Sequence, residues 1–296
     1  YIILSNMTKI KGIYAASLSI LNNDLTLNID KTINHSKYLL KNGCHGVVLF
    51  GSTGQSQLIS LPEKISLINR LSMEKNHNKY IIGTGLNSLV DTINFMKVSN
   101  SLNFNYFLIM PPAYYKYSHD EVFNFYSLII QKISNCKIIL YNFEKLSGYK
   151  FSVNCVEKLV EKFPKNIIGV KDSSYNLYKK LKIKNFSIFT GSDEKLLEGL
   201  KIGNSGIITA TCNVTSNIAR KVYDDYYLNI RSYENKKLCR VRKIFENFNL
   251  ISSLHTFMRE KEEIFENLLP PLSLLNAKNK KILFDDLSKL DFNIKY

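Results

Sequence analysis

The 296-residue sequence has no tryptophan, few prolines and glycines, and only five cysteines. The cysteines are widely spaced and form no Cys-x-x-Cys motif, which argues against a disulfide framework and against a zinc or other metal site. No apolar run approaches the ~20 residues that span a bilayer, and residues 1–4 are too short for the apolar part of a signal peptide. We therefore expect a cytoplasmic protein without a metal or a membrane partner, in which residues 1–6, before Met7, are an over-extended start.

Arginine is also scarce. The chain carries 40 Lys+Arg against 25 Asp+Glu, a formal net charge of +15, but only six of the 40 cations are arginines. Arginine is the forked donor that recognises phosphates and bases best, so its scarcity weakens a nucleic-acid interpretation. The lysines are scattered and interleaved with acidic residues, which is typical of a solvated surface. No nucleic-acid partner is expected.

Eight short apolar runs alternate with helix-patterned stretches. Runs that are apolar throughout are typical of parallel strands buried on both faces. Eight such units predict a (β/α)8 TIM barrel over residues 7–230, and residues 231–296 read as a C-terminal helical extension packed on the barrel, with Pro270-Pro271 breaking two of its helices. A doubly wound sheet that binds a dinucleotide would need a glycine-rich turn after its first strand, and this turn is missing. The predicted strands cover residues 12–19, 46–50, 80–84, 106–110, 137–141, 167–171, 187–190 and 206–210.

Polar residues at strand ends are the candidate site, because a barrel of this type places its active site there. Lys171 ends the sixth strand, where a poorly solvated amine loses its charge more readily and can attack a ketone to form an imine. Tyr141 ends the neighbouring fifth strand, within reach of that imine as a proton relay. The turn after the second strand offers the hydroxyls of Ser52 and Thr53 to a carboxylate.

Each of these residues also has an ordinary structural interpretation. On its position alone, Lys171 is equally compatible with a residue that begins a loop and extends to water. Tyr141 could pack with its hydroxyl at the rim, and a turn with glycines around Ser52 and Thr53 is common outside active sites.

Several motifs together resemble the pyruvate-dependent class I aldolases, which include N-acetylneuraminate lyase, dihydrodipicolinate synthase and 2-keto-3-deoxygluconate aldolase. The resemblance implies that Lys171 is the Schiff-base lysine, that Tyr141 is the proton shuttle and that no cofactor is needed. It implies further that Tyr114 reaches across a dimer interface in a homotetramer, a dimer of dimers. The motifs are Gly51-Ser52-Thr53-Gly54, Gly83-Thr84-Gly85, Pro111-Pro112-Ala113-Tyr114-Tyr115, Tyr141-Asn142 through Ser147-Gly148, Gly169-Val170-Lys171-Asp172 and Gly191-Ser192-Asp193.

The branch of this family depends on fewer residues. The synthases carry an arginine two residues before the glycine that is Gly148 here, and this chain has Leu146 at that place. The resemblance to the lyases implies instead that the tail of a sugar acid is held by Ser173, Gly191, Asp193, Glu194 and Ala210. Two positions depart from the lyase pattern. Ala210 replaces a serine, and Glu144 replaces a proline that is usual in the segment after Tyr141-Asn142.

These observations predict an aldolase that reversibly cleaves a 2-oxo sugar acid to pyruvate and an aldehyde, in the manner of N-acetylneuraminate lyase or 2-keto-3-deoxygluconate aldolase. The alternatives within the family are 4-hydroxy-tetrahydrodipicolinate synthase, which joins pyruvate to aspartate semialdehyde, and a 2-oxo acid dehydratase or decarboxylase. An alternative from another class is a basic binding protein on a catalytically silent barrel. The scattered lysines disfavour it, because binding proteins concentrate charge on one face or tail.

Overall fold

The structure is a computed structural model that describes residues 9–296. The expected over-extended start at residues 1–6 and the proposed domain start at residue 7 lie outside the described residues. Within residues 9–296, no helix combines the length and the apolar character that a membrane crossing requires.

Eight parallel strands form a closed barrel, in which each strand pairs with the next and the last returns to the first. The predicted TIM barrel is confirmed, and every predicted strand overlaps an observed one. Both faces of the strands are buried, one against the barrel interior and one against the helices, which explains their continuous apolar runs. The strands are β1 (Gly12–Ala16), β2 (Gly46–Leu49), β3 (Tyr80–Gly83), β4 (Tyr106–Ile109), β5 (Lys137–Asn142), β6 (Ile167–Asp172), β7 (Ser187–Thr190) and β8 (Gly206–Thr209).

Capping residues fix where the helices begin. Ser118 and Glu121 form the predicted capping box, and Pro62 lies in the first turn of its helix, where a missing backbone N–H has no consequence. The helices are α1 (Ile29–Lys41), α2 (Leu61–Leu71), α3 (Leu89–Ser101), α4 (His119–Lys132), α5 (Glu144–Ser147), α6 (Val153–Lys162), α7 (Leu196–Lys201), α8 (Cys212–Tyr227), α9 (Glu234–Glu246), α10 (Leu250–Arg259) and α11 (Ala277–Ser288).

Two stretches differ from the expected helical pattern. Residues 173–186, between β6 and β7, form turns instead of the helix that the sixth strand-plus-helix unit requires. Residues 260–276 contain only the short 3-10 turn Glu263–Phe265, so Pro270 and Pro271 lie between α10 and α11 and interrupt no helix. The region after residue 215 is therefore not helical throughout.

The C-terminal helices pack against the barrel at the carboxyl ends of its strands. Leu18, which follows β1, and Ala210, which follows β8, share one apolar cluster with Val241, Phe245 and Leu254 of α9 and α10. This packing places α9 beside the mouth of the barrel. The proposed domain boundary at residue 230 stays a prediction.

A lysine other than Lys171 is also buried in the fold. Lys64 on α2 has no exposed surface, and its ammonium donates to the carbonyl oxygens of Thr84 (2.9 Å) and Gly85 (3.3 Å). No carboxylate of residues 9–296 forms an ion pair with it. Burial lowers the pKa of Lys64 to about 7, because a desolvated ammonium has lost its hydration without gaining a counter-charge.

This shift predicts that the protein becomes more stable as the pH rises above 7. Below pH 7 Lys64 is charged in both the folded and the unfolded chain, and the penalty of burying the charge is fully present. Between pH 7 and about 10.4 only the unfolded chain holds the proton, so the unfolding free energy rises with pH. Compared with Lys64→Met, the wild type is expected to gain on the order of 3 kcal/mol between pH 7 and 9.5. Urea titrations at both values measure this gain, and parallel pH dependence of the two proteins would contradict it.

Candidate active site

A cavity of about 290 Å³ opens at the carboxyl ends of the strands. Strand order brings the predicted residues together there, because β5 and β6 are neighbours in the barrel. Most of the predicted set lines this cavity, namely Ser52, Thr53, Tyr141, Lys171, Ser173, Gly191 and Ala210.

Lys171 and Tyr141 lie directly opposite each other in the β5–β6 ladder. The Nζ atom of Lys171 is 4.2 Å from the centroid of the Tyr141 ring, and only 3% and 4% of the two residues is exposed. No carboxylate of the part of the chain that the structure describes forms an ion pair with Lys171. Its amine therefore contacts an aromatic face and not a counter-ion, in a residue that lines the cavity.

The turn after β2 brings Ser52 to the phenol of Tyr141. The Oγ atom of Ser52 is 3.0 Å from the hydroxyl of Tyr141, and either group can be the donor. Glycine is needed at position 54, because a Cβ there would lie 2.8 Å from the carbonyl oxygen of Ser17. The close approach of this turn to the segment after β1 fixes Ser52 and the buried Thr53 at the cavity wall.

Asp172 faces away from the amine, as the alternation of a strand predicts. Its Oδ1 atom accepts a hydrogen bond from the side chain of Asn142 (2.8 Å), and its Oδ2 atom accepts from the backbone N–H groups of Leu177 and Tyr178 (2.8 and 2.9 Å). These bonds hold the turns that follow β6. The same turns carry Ser173 and Tyr175 to the cavity.

Asp193 and Glu194 do not line the cavity, in contrast to the expected contact with a substrate tail. Asp193 is completely buried, and hydroxyl groups occupy both of its carboxylate oxygens. The Oδ2 atom accepts from Thr209 (2.9 Å) and Thr211, and the Oδ1 atom accepts from Thr215 (2.8 Å). Glu194 turns outward and lies 3.4 Å from the ammonium of Lys243.

Sequence reasoning missed Arg242 and Glu246 of α9, both of which line the cavity. Arg242 is 6% exposed, and its Nη1 atom lies 3.8 Å from the Oδ2 atom of the buried Asp193. The only signal in the sequence is their spacing of four residues, which predicts a pair on one helix face but not which face turns to the site.

Asp193 is expected to contribute to stability through this contact. Asp193→Ala removes the acceptor of three hydroxyl groups and one counter-charge of a buried guanidinium, so the free energy of unfolding should fall by about 3–5 kcal/mol. Urea denaturation measures the loss, with Glu157→Ala, an exposed carboxylate on α6, as the control. Unchanged stability together with a selective loss of turnover would instead mean that Asp193 contacts the substrate itself.

Three residues singled out in the sequence lie at the edge of the site. Tyr114 is 89% exposed, with a φ of 91°, and lies outside the cavity. Glu144 lines the cavity and pairs with Lys150 at 2.6 Å. Leu146 lines a second, apolar cavity of about 180 Å³, which shares Ser52 and Tyr141 with the first.

Several known proteins are similar to this chain. The model of the Dihydrodipicolinate synthetase family matches residues 9–290. An uncharacterised DapA-like lyase from Chloroflexus aurantiacus is 25% identical over 284 residues, which cover 93% of this chain and 95% of that protein. A 4-hydroxy-tetrahydrodipicolinate synthase from Listeria monocytogenes is 33% identical over 196 residues, 63% of this chain and 66% of that one. The structure of the 4-hydroxy-tetrahydrodipicolinate synthase from Methylacidiphilum fumariolicum SolV superposes with a TM-score of 0.85 at 26% identity and covers 96% of each chain.

Proposed function

We propose, because the chain belongs to the Dihydrodipicolinate synthetase family, that it is a Schiff-base aldolase which reversibly cleaves a 2-oxo sugar acid to pyruvate and an aldehyde. Relatives in this family are lyases or synthases, and this chain is an enzyme of that class. The observation that carries the proposal is the meeting of an amine, a phenol and a hydroxyl in one cavity. Lys171, Tyr141 and Ser52 supply these three groups.

In the proposed mechanism the neutral amine of Lys171 attacks C2 of the 2-oxo acid, and the carbinolamine loses water to give an iminium ion. Tyr141 accepts the proton of the C4 hydroxyl while the C3–C4 bond breaks, and the bonding electrons move to the iminium nitrogen. The aldehyde leaves, Tyr141 returns the proton to C3 of the resulting enamine, and water releases pyruvate from Lys171. Ser52 and Thr53 hold the carboxylate, which aligns C2 with the amine.

A sugar acid is preferred over aspartate semialdehyde because of the residue at position 146. Leu146 is 45% exposed and lines the apolar cavity, so it offers no cation to the carboxylate of a second substrate. The main cavity presents Ser173 and the backbone at Gly191 beside Lys171. Its other cations are Lys145 and Arg242, and Arg242 is paired with Glu246. The name of the Listeria monocytogenes relative favours the synthase as the second candidate.

Activity assays separate the two candidates. The purified enzyme is expected to cleave N-acetylneuraminate or 2-keto-3-deoxygluconate faster than it condenses pyruvate with aspartate semialdehyde. Release of pyruvate measures the cleavage reactions, and consumption of aspartate semialdehyde measures the condensation. Condensation as the dominant activity, with Leu146 in place, would favour the synthase and contradict the sugar-acid proposal.

We propose further that the enzyme is a cytoplasmic homotetramer in which Tyr114 completes the site of a neighbouring copy. All five cysteines are free in the structure, which fits a reducing compartment. Tyr114 is exposed and does not line the cavity of its own chain. The apolar cavity beside Ser52 and Tyr141 has a size that suits a phenol ring from a second copy.

Mixed oligomers test the role of Tyr114. Lys171→Arg and Tyr114→Phe chains, each nearly inactive alone, are expected to regain about a quarter of wild-type turnover after subunit exchange, because each mixed dimer then contains one intact site. Turnover and mass photometry of the mixture measure the effect. Mixed dimers without recovered activity would show that Tyr114 does not act on a neighbour.

A further inference from the structure

Part of the wall of the Lys171 cavity is formed by helix α9 and not by residues at the strand ends. Arg242 and Glu246 lie four residues apart on α9, and both face the cavity that contains Lys171. Neither belongs to the set that forms the imine or holds the pyruvate carboxylate. Their position opposite the strand ends places them where the part of a substrate beyond C4 would lie.

Arg242 is held firmly in this wall. Its Nε and Nη2 atoms lie 2.7 and 2.6 Å from Oε1 of Glu246, and its Nη1 atom donates to the hydroxyls of Thr209 (2.9 Å) and Thr211 (3.2 Å). These contacts join α9 to the end of β8. A guanidinium fixed in this way can recognise a ligand group without losing further side-chain freedom on binding.

The charge of Arg242 is already balanced by protein carboxylates. Burial opposes the charged form of Arg242, but Asp193 and Glu246 outweigh burial, and its pKa is raised above the ordinary value. Glu246 places a carboxylate beside Arg242, so this pair has no net charge, whereas the cations Lys145 and Lys171 line other parts of the same cavity. The Arg242–Glu246 pair therefore favours an uncharged polar group over an anion.

The polar atoms of this wall that remain available to a ligand suit a hydroxyl group. The Oε2 atom of Glu246 accepts no hydrogen bond from residues 9–296, and the side chain is more than a third exposed. Tyr175 adjoins the pair in the cavity wall, and burial raises the pKa of Tyr175 to about 12, so its phenol stays protonated and donates as well as accepts. A hydroxyl is the ligand group that both donates to a carboxylate and accepts from a guanidinium or a phenol.

We propose that Arg242 and Glu246 bind hydroxyl groups on the aldehyde-derived part of the substrate and so set the preference for polyhydroxylated aldehydes. This inference rests on the proposed imine chemistry at Lys171. It assigns the recognition of the tail to α9 in place of Asp193, whose oxygens are occupied by threonine hydroxyls.

Condensation of pyruvate with matched aldehydes tests the inference. Glyceraldehyde and propanal have the same carbon chain and differ by two hydroxyl groups, and N-acetylmannosamine extends the series. The ratio of kcat/KM for glyceraldehyde to kcat/KM for propanal is expected to fall about tenfold or more in Glu246→Gln and in Arg242→Lys, since a hydrogen bond to a charged group is lost or misplaced. Glu234→Gln, at the start of α9 and outside the cavity, should leave the ratio within twofold.

Borohydride trapping of pyruvate in each variant separates this inference from the proposed function. We expect equal trapping at Lys171 in the wild type and in all three variants. Trapping with an unchanged aldehyde ratio in both cavity variants would overturn the role of α9 and leave the imine chemistry intact. An equal fall for glyceraldehyde and propanal would also overturn it, because such a fall reports a general disturbance of the site. Absence of trapping in the wild type would overturn the proposed function itself.

Discussion

Replacing Lys171 by arginine is expected to lower kcat/KM for pyruvate release by at least about 1000-fold, because a guanidinium cannot become the neutral nucleophile that imine formation requires. Arginine can still contact the ring of Tyr141, whose centroid is 4.2 Å from Nζ in the wild type. The substitution therefore removes the nucleophile and retains a cationic side chain at the same position. Steady-state assays of pyruvate release measure the loss.

The matched control is Lys158→Arg, on the exposed face of α6. It should leave turnover within twofold, and both proteins should unfold at wild-type temperatures. A Lys171→Arg enzyme that retained a tenth of wild-type activity while folded would show that catalysis does not pass through this amine.

The second large effect is expected for Tyr141→Phe, which should lower kcat about 100- to 1000-fold, because the phenol that moves the C4 hydroxyl proton is lost. The phenyl ring keeps the packing and the contact with Lys171. It loses the hydroxyl that lies 3.0 Å from Ser52. We expect the KM for the 2-oxo acid to change little, since Ser52 and Thr53 hold the carboxylate in the proposed mechanism.

Two measurements make this prediction specific. Borohydride trapping of pyruvate should persist in Tyr141→Phe, because the amine is unchanged. Tyr178→Phe is the control and should retain normal turnover, because the hydroxyl of Tyr178 lies outside the cavity, 3.2 Å from the carboxylate of Glu198. A Tyr141→Phe enzyme with kcat within threefold of the wild type would exclude Tyr141 as the proton relay.

The barrel could be predicted because its strands carry a strong local signal. A strand buried on both faces is apolar along most of its length, and short runs such as residues 138–141, repeated eight times between helix patterns, are typical of such strands. The connection between β6 and β7 was not predictable in the same way. Its turns are held by the carboxylate of Asp172 through the N–H groups of Leu177 and Tyr178, and such contacts leave no periodic pattern in the sequence.

The site was predictable where topology alone determines it. Tyr141 and Lys171 are each one residue from the ends of neighbouring strands, so the pairing of β5 with β6 brings them together whatever the loops do. Asp193 resembled a ligand-binding carboxylate, but the hydroxyl groups of the following threonines surround it in the fold. Arg242 reaches the cavity from a helix about 70 residues beyond β6, and only the packing of α9 on the barrel brings it there.

Trapping of the imine in the wild-type enzyme tests the central claim most directly. The protein is incubated with pyruvate, reduced with borohydride and mapped by peptide mass spectrometry. We expect one pyruvate adduct, at Lys171. Lys64 is the informative competitor, because burial lowers its pKa to about 7 but leaves it with no exposed surface. An adduct at Lys64 or at any other lysine, or no adduct at all, would contradict the proposed chemistry.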